Sequence, residues 1–157
     1  MVEKEANSVE SDMSGSEESE DPEEAIAERT AQLQENPYSF ALYVELIRLH
    51  RKQGNLDECR TLRQQVQQLY SLPEDAWIEW LSDEINLVSG EEDIQKVIEL
   101  FKTALTDYKY RKVYKLYLTY LTSVKDTIPK DTIKAVFESA LKIYSLDYNK
   151  AQKMWNL

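Results

Sequence analysis

The sequence predicts an all-α protein, an α-solenoid of antiparallel helix pairs preceded by a disordered acidic tail. Three observations predict it. Turn-forming residues are scarce, with Gly 3 and Pro 4 in 157 residues, where a sandwich or barrel needs many. Apolar residues recur at helical spacing, and no alternating run is longer than a few residues. Matching markers return every 34–41 residues, as they do when stacked helix pairs each bury a face on the next.

Residues 1–20 form the tail. They are rich in Ser and Glu and contain no aromatic residue, so they bury too little apolar surface to offset the entropy of ordering. Ser14 lies three residues before Glu17, and Ser16 precedes Glu17 and Glu18. Both are candidate phosphorylation sites for an acid-directed kinase, and a solubilising tail explains them equally well. Order is expected over 21–157. Asp21, Pro22 and Glu24 have the spacing of a capped helix start, which opens a leading helix over 22–36. Helix pairs are then expected over about 37–70, 73–108 and 110–145, with the start of a further repeat at 149–157. Asn55/Glu58, Ser71/Glu74 and Ser89/Glu92 stand at capping-box spacing ahead of their helices.

The repeat register selects the packing residues. Pro37 and Pro73 are 36 residues apart, as are Gly54 and Gly90. In the first helices Tyr43 aligns with Trp77 and Tyr114, and Leu46 with Trp80 and Tyr117. In the second helices Leu62 aligns with Phe101 and Phe137, and the pair Ala104-Leu105 with Ala140-Leu141. Trp77, Trp80 and Glu84 share one helical face, which is expected to meet Phe101, Ala104 and Leu105. Burying one indole removes ~150–250 Å² from water, roughly 4–6 kcal/mol before entropy, so the two tryptophans read as core rather than as a ligand site. Glu84 has no counterpart in the other pairs, whose aligned residues are His50 and Leu121, and is assigned a structural role. Trp155 falls at the start of the further repeat.

Charge is divided unevenly. Residues 1–28 hold eleven Asp/Glu and one Lys, which accounts for the whole net charge of −10; residues 108–157 hold ten basic and four acidic groups. Within that basic end, Lys109, Arg111, Lys112 and Lys115 interleave with five tyrosines in YKYRKVYKLYLTY. Cations beside aromatic rings can hold phosphates and stack bases, making these four the candidate anion or RNA contacts. Tyr114 and Tyr117 also occupy packing positions, and lysines suit any solvated face. Catalytic and metal residues are predicted to be none: one His, one Cys and no glycine-rich loop supply neither a metal cluster nor a phosphate cradle. No cofactor and no small-molecule substrate are expected. A single Cys59, no signal peptide and no apolar window long enough to span a bilayer suit a reducing intracellular setting without membrane.

The pattern Trp-x-x-Trp-x-x-x-Glu in a first helix, with VIELFKTAL and IKAVFESAL in second helices, resembles half-a-TPR (HAT) repeats. The family's Phe-Glu-Arg-Ala-Leu core lacks its Arg here, where Thr103 and Ser139 stand. QLQENPYSFALYVELIRL followed by PEDAWIEWLSDEI is similar to the opening of a spliceosome-recycling member of that family. The resemblance covers residues ~23–157 and implies a nuclear, non-catalytic scaffold of pre-mRNA splicing. Such a scaffold would dock protein components of a ribonucleoprotein particle and leave RNA mainly to modules outside this chain. Three rivals remain: a HAT scaffold of pre-mRNA cleavage and polyadenylation, a TPR-like peptide-binding adaptor, and an RNA-binding solenoid resting on residues 108–120. The adaptor needs Lys, Arg or Asn at matching inward positions, where Glu45, Glu79 and Leu116 stand.

Overall fold

The computed structural model describes residues 21–145. Among these residues are seven α-helices and no strand: α1 (Pro22–Glu35), α2 (Phe40–Lys52), α3 (Leu56–Leu69), α4 (Glu74–Asn86), α5 (Glu91–Asp107), α6 (Arg111–Ser123) and α7 (Lys130–Tyr144). The fold is the predicted all-α helical-repeat class. The acidic tail with Ser14 and Ser16, and the segment holding Trp155, lie outside the described residues. No described helix is long and apolar enough to cross a membrane.

The chain divides into two compact units between Cys59 and Arg60, inside α3. In the first unit α1 packs against α2. Asp21 caps α1 by accepting from the Glu23 amide at 3.0 Å, and Ser39 Oγ accepts from the Leu42 amide to cap α2; each satisfies an orphan donor of a first turn. Tyr43, Leu46 and Ile47 are buried, and the buried Cys59 thiol donates to the Ile47 carbonyl at 3.5 Å. Across the α1–α2 contact Arg29 Nε donates to Glu45 Oε2 at 2.9 Å. Beyond α2, Gly54 takes φ +74°, and its amide and that of Asn55 bond back to Arg51 and His50 carbonyls. This is the left-handed stop that glycine makes without a Cβ penalty. The lone His50 is half-buried.

In the second unit α4 packs on α5 and α6, α5 on α6, and α6 on α7. Tyr144 at the end of α7 donates its hydroxyl to the Arg111 carbonyl at the start of α6 at 2.8 Å, so these two helices run antiparallel. Successive first helices α4 and α6 are joined start to start: Tyr110 donates to the Leu72 carbonyl at 2.8 Å, and the Lys112 amide donates to Glu74 Oε1 at 2.7 Å.

Several expected caps differ. α4 begins after Pro73 and α5 after Gly90, and neither start has a side-chain cap. Ser89 does not box with Glu92; its amide and hydroxyl both donate to Asp93 Oδ2, at 3.2 and 2.8 Å. One carboxylate a turn further on collects both loop donors and is thereby held below the ordinary carboxylate pKa, chiefly by the serine hydroxyl. The matched glycines also part company. Gly54 ends a helix in the left-handed region, whereas Gly90 sits in extended backbone before one.

Candidate functional site

Most of the described residues singled out by the register lie on two floors in the second unit; Tyr43 and Leu46 belong to the first unit. The first is α4. Trp77, Trp80 and Leu81 are buried, and the two indoles stack with centroids 5.2 Å apart and planes 3° from parallel. Trp80 Nε1 donates to Glu84 Oε1 at 3.3 Å. Glu84 also receives a two-pronged grip from Arg60, Nε to Oε1 at 2.8 Å and Nη2 to Oε2 at 2.9 Å. That planar fork matches a carboxylate better than any ammonium could. One turn further along α3, Arg63 is only 4% exposed. Its Nη2 donates to Asp83 Oδ2 at 2.7 Å and Glu79 Oε1 at 2.9 Å. Glu84 is therefore the acceptor of a helix-to-helix clamp. Around it opens a groove of about 540 Å³ lined by Arg60, Gln64, Trp80, Glu84, Asp93 and Lys96, among others.

The second floor is α6, and it is built from tyrosine. Tyr114, Tyr117, Leu118, Tyr120 and Leu121 are buried. Phe101 stacks on α6: on Tyr117 at 4.4 Å and on Tyr120 at 5.9 Å between centroids. α5 packs on both α4 and α6, and the α4 indoles also stack on each other. Ala104 and Ala140 are fully buried, and small residues there let neighbouring backbones come close; Leu105, Phe137 and Leu141 pack at the edge of the α6–α7 core. The hydroxyls of Tyr117 and Tyr120 are buried without a hydrogen-bond partner. Burial pushes the Tyr117 phenol up to about 12, with the Glu99 charge adding to it. Tyr114, Tyr120 and Tyr144 are raised in the same direction, each first by burial. A groove of about 580 Å³ between α5, α6 and α7 is lined by Lys102, Leu105, Tyr114, Tyr117, Asp131 and Val136, among others. Leu62 is buried on α3 within this same unit.

The basic stretch is split between packing and solvent. Lys112 Nζ lies 3.0 Å from Asp75 and 3.5 Å from Glu74; the Asp75 hydrogen bond leads in raising its pKa. The Arg111 guanidinium sits 5.8 Å from the centroid of the Tyr144 ring. Lys109 and Lys115 are exposed. Of the interleaved rings, Tyr114, Tyr117 and Tyr120 are interior, and Tyr108 is 66% exposed beside Tyr110.

Two arginines and one cap escaped the sequence reading. Arg63 falls on the stripe Cys59–Leu62–Arg63–Val66, all buried; a charge within an apolar stripe was the available signal. Arg60 gave none. Nor did Glu74, which caps α6 from 38 residues away because α6 has no side-chain cap of its own. Among the described residues no cluster of three His, Cys, Asp or Glu could hold a metal ion. What the arrangement offers chemically is two grooves, one charged and one mostly apolar, on a helical support.

Comparison with known proteins places this architecture. The chain is similar to proteins described as "Spliceosome associated factor 3, U4/U6 recycling protein". It is 35% identical to the Mus musculus protein and 33% identical to the Homo sapiens protein, each over 125 residues that make up 79% of this chain. The Danio rerio protein is 42% identical over 77 residues, 49% of this chain. These alignments span only 13%, 13% and 8% of the respective relatives. The family described as Suppressor of forked protein (Suf) matches residues 24–157, which takes in every described helix from the first turn of α1 onward, and the chain belongs to that family.

Proposed function

We propose that this chain is a non-catalytic helical-repeat scaffold of RNA processing, the protein-interaction part of a nuclear pre-mRNA splicing factor that works in assembly or recycling of a spliceosomal small nuclear ribonucleoprotein. The observation that carries the reading is the 125-residue similarity to U4/U6 recycling proteins, laid over a fold whose conspicuous aromatics are spent on helix packing. The mechanism is surface display. Buried indoles and phenols fix the helices, and the outward grooves present charged and apolar side chains to protein components of the particle. RNA is left mainly to other modules. Burial of Tyr114, Tyr117 and Tyr120 removes three rings that could have stacked bases, and Lys112 is already engaged by two carboxylates; both favour a protein partner over RNA.

The test is retention of purified U4/U6 small nuclear ribonucleoprotein on the immobilised chain, set beside the same RNA stripped of protein. The expected result is retention of the particle and not of the bare RNA. Equal retention of bare RNA, or no retention of the particle, overturns the proposal.

A further inference from the structure

The groove of about 540 Å³ beside Trp80 has cations and anions on its wall, but they are matched to one another. Arg60 closes on Glu84 with hydrogen bonds of 2.8 and 2.9 Å. Lys96 Nζ lies 3.4 Å from Asp93 Oδ1 and 2.9 Å from the neighbouring Glu92. The two cations and two anions that line the groove leave it with no net charge. A charged guest would give up hydration there without meeting an uncommitted counter-ion, and a nucleic-acid backbone would find no unpaired cation. What the wall does leave open is apolar surface and one amide. Leu87 is 41% exposed, and Val97 and Leu100 of α5 line the same groove. On the α3 side Gln64 is exposed, and its carboxamide makes no hydrogen bond to any described residue.

From this pattern we infer that the groove seats an extended, uncharged segment of a protein partner, with a leucine-sized side chain against Leu87, Val97 and Leu100 and a main-chain peptide group on the Gln64 carboxamide. The inference rests on the scaffold reading above and deepens it, naming the groove that docks a protein component and the chemistry it takes. A carboxamide carries both a donor and an acceptor, the complement of a peptide unit. An extended segment has its peptide groups free for that pairing, whereas a helix spends them on its own ladder. Its side chains alternate between two sides, so apolar residues at every second position would all face the Leu87 wall.

The probe is a capped pentapeptide, acetyl-Ser-Leu-Ser-Leu-Ser-amide, titrated into the full nitrogen-15-labelled chain. Two counterparts carry glutamate or lysine in place of both leucines. The expected result is movement of the Leu87 and Val97 amide lines and of the Gln64 carboxamide, with the leucine peptide bound about tenfold or more tightly than either charged one. Leu87→Glu and Gln64→Leu should each weaken that binding, the first by about tenfold or more. Leu69→Glu, made at a leucine that is also 41% exposed but does not line the groove, should leave it unchanged and certify that such a charge is tolerated by the fold. No movement of these lines, equal binding of the charged peptides, or an unaffected Leu87→Glu variant overturns the inference. Retention of the U4/U6 particle separates it from the reading beneath it. A particle held equally by the parent chain and by Leu87→Glu overturns the groove assignment and leaves the scaffold function standing. Peptide binding with the expected selectivity but no retained particle supports the groove and removes the particle as its partner.

Discussion

α4 and α6 hold equivalent places in successive helix pairs, yet they are fastened by different chemistry. α4 is gripped by charge. Arg60 closes on Glu84, Arg63 closes on Asp83 and Glu79, and Trp80 spends its N–H on the same Glu84. α6 is gripped by rings and main chain. Phe101 stacks on Tyr117, Tyr110 donates to the Leu72 carbonyl, and Tyr144 donates to the Arg111 carbonyl. The repeat thus dictates size and burial at each position and leaves polarity free. A bulky flat side chain is needed at the first-helix positions, and whether its polar atom is paired is settled locally. The charged grip has a geometric demand that the aromatic one lacks, since a buried ion left without its partner is strongly destabilising.

Removing the ring shared by α5 and α6 is expected to have the largest effect. Phe101 is fully buried, so Phe101→Ala opens a cavity and loses transfer energy, about 3–5 kcal/mol. Chemical denaturation followed by far-UV circular dichroism reads the change. A loss below about 1 kcal/mol would mean that the aromatic grip on α6 is dispensable, a value expected only of exposed sites.

Glu84→Ala probes the other grip. Arg60 keeps its access to solvent, with a side chain 37% exposed, and can rehydrate. The Trp80 N–H belongs to a residue only 4% exposed and loses the carboxylate to which it donates. The expected loss is about 1–3 kcal/mol, the cost of one buried donor left without an acceptor. Combined with Arg60→Ala, the double mutant should cost little more than Glu84→Ala alone. Strict additivity of the two changes would show that the clamp is decorative.

The contrast between the helices also explains what was legible in the sequence. Periodicity of apolar side chains reports burial, so the all-α repeat class and the inward placement of Trp77 and Trp80 could be read directly. Pairing across helices depends on which of two neighbours a side chain reaches, and one sequence carries no such information. The stacking of Phe101 on Tyr117 of α6 was therefore not foreseen. Glu84 stood out by lacking counterparts, yet Arg60, 24 residues upstream, carried no mark. Local capping rules failed at α5 for a related reason. Asp93 competes for the donors of Ser89 from within the helix, and a three-residue spacing rule does not weigh a four-residue rival.

The smallest change makes the sharpest distinction. Tyr117→Phe deletes a hydroxyl that is buried without a partner, so at neutral pH stability should hold or rise by up to ~1 kcal/mol, where deletion of a paired hydroxyl would lower it. The pH dependence supplies the sign. The folded pKa is raised from 10.0 to about 12 by burial, so between those values the unfolded chain releases a proton that the folded chain retains. Stability conferred by the neutral phenol is therefore fully present below pH 10 and falls as pH rises toward 12, by up to about 1.4 kcal/mol per pH unit. Tyr117→Phe should flatten that alkaline fall in a series of melting temperatures. The remaining slope belongs to Tyr114, Tyr120 and Tyr144, which are raised in the same direction. If the variant melts along the same alkaline curve as the parent, the Tyr117 hydroxyl reaches water in solution, and the aromatic grip on α6 is looser than the charged grip on α4.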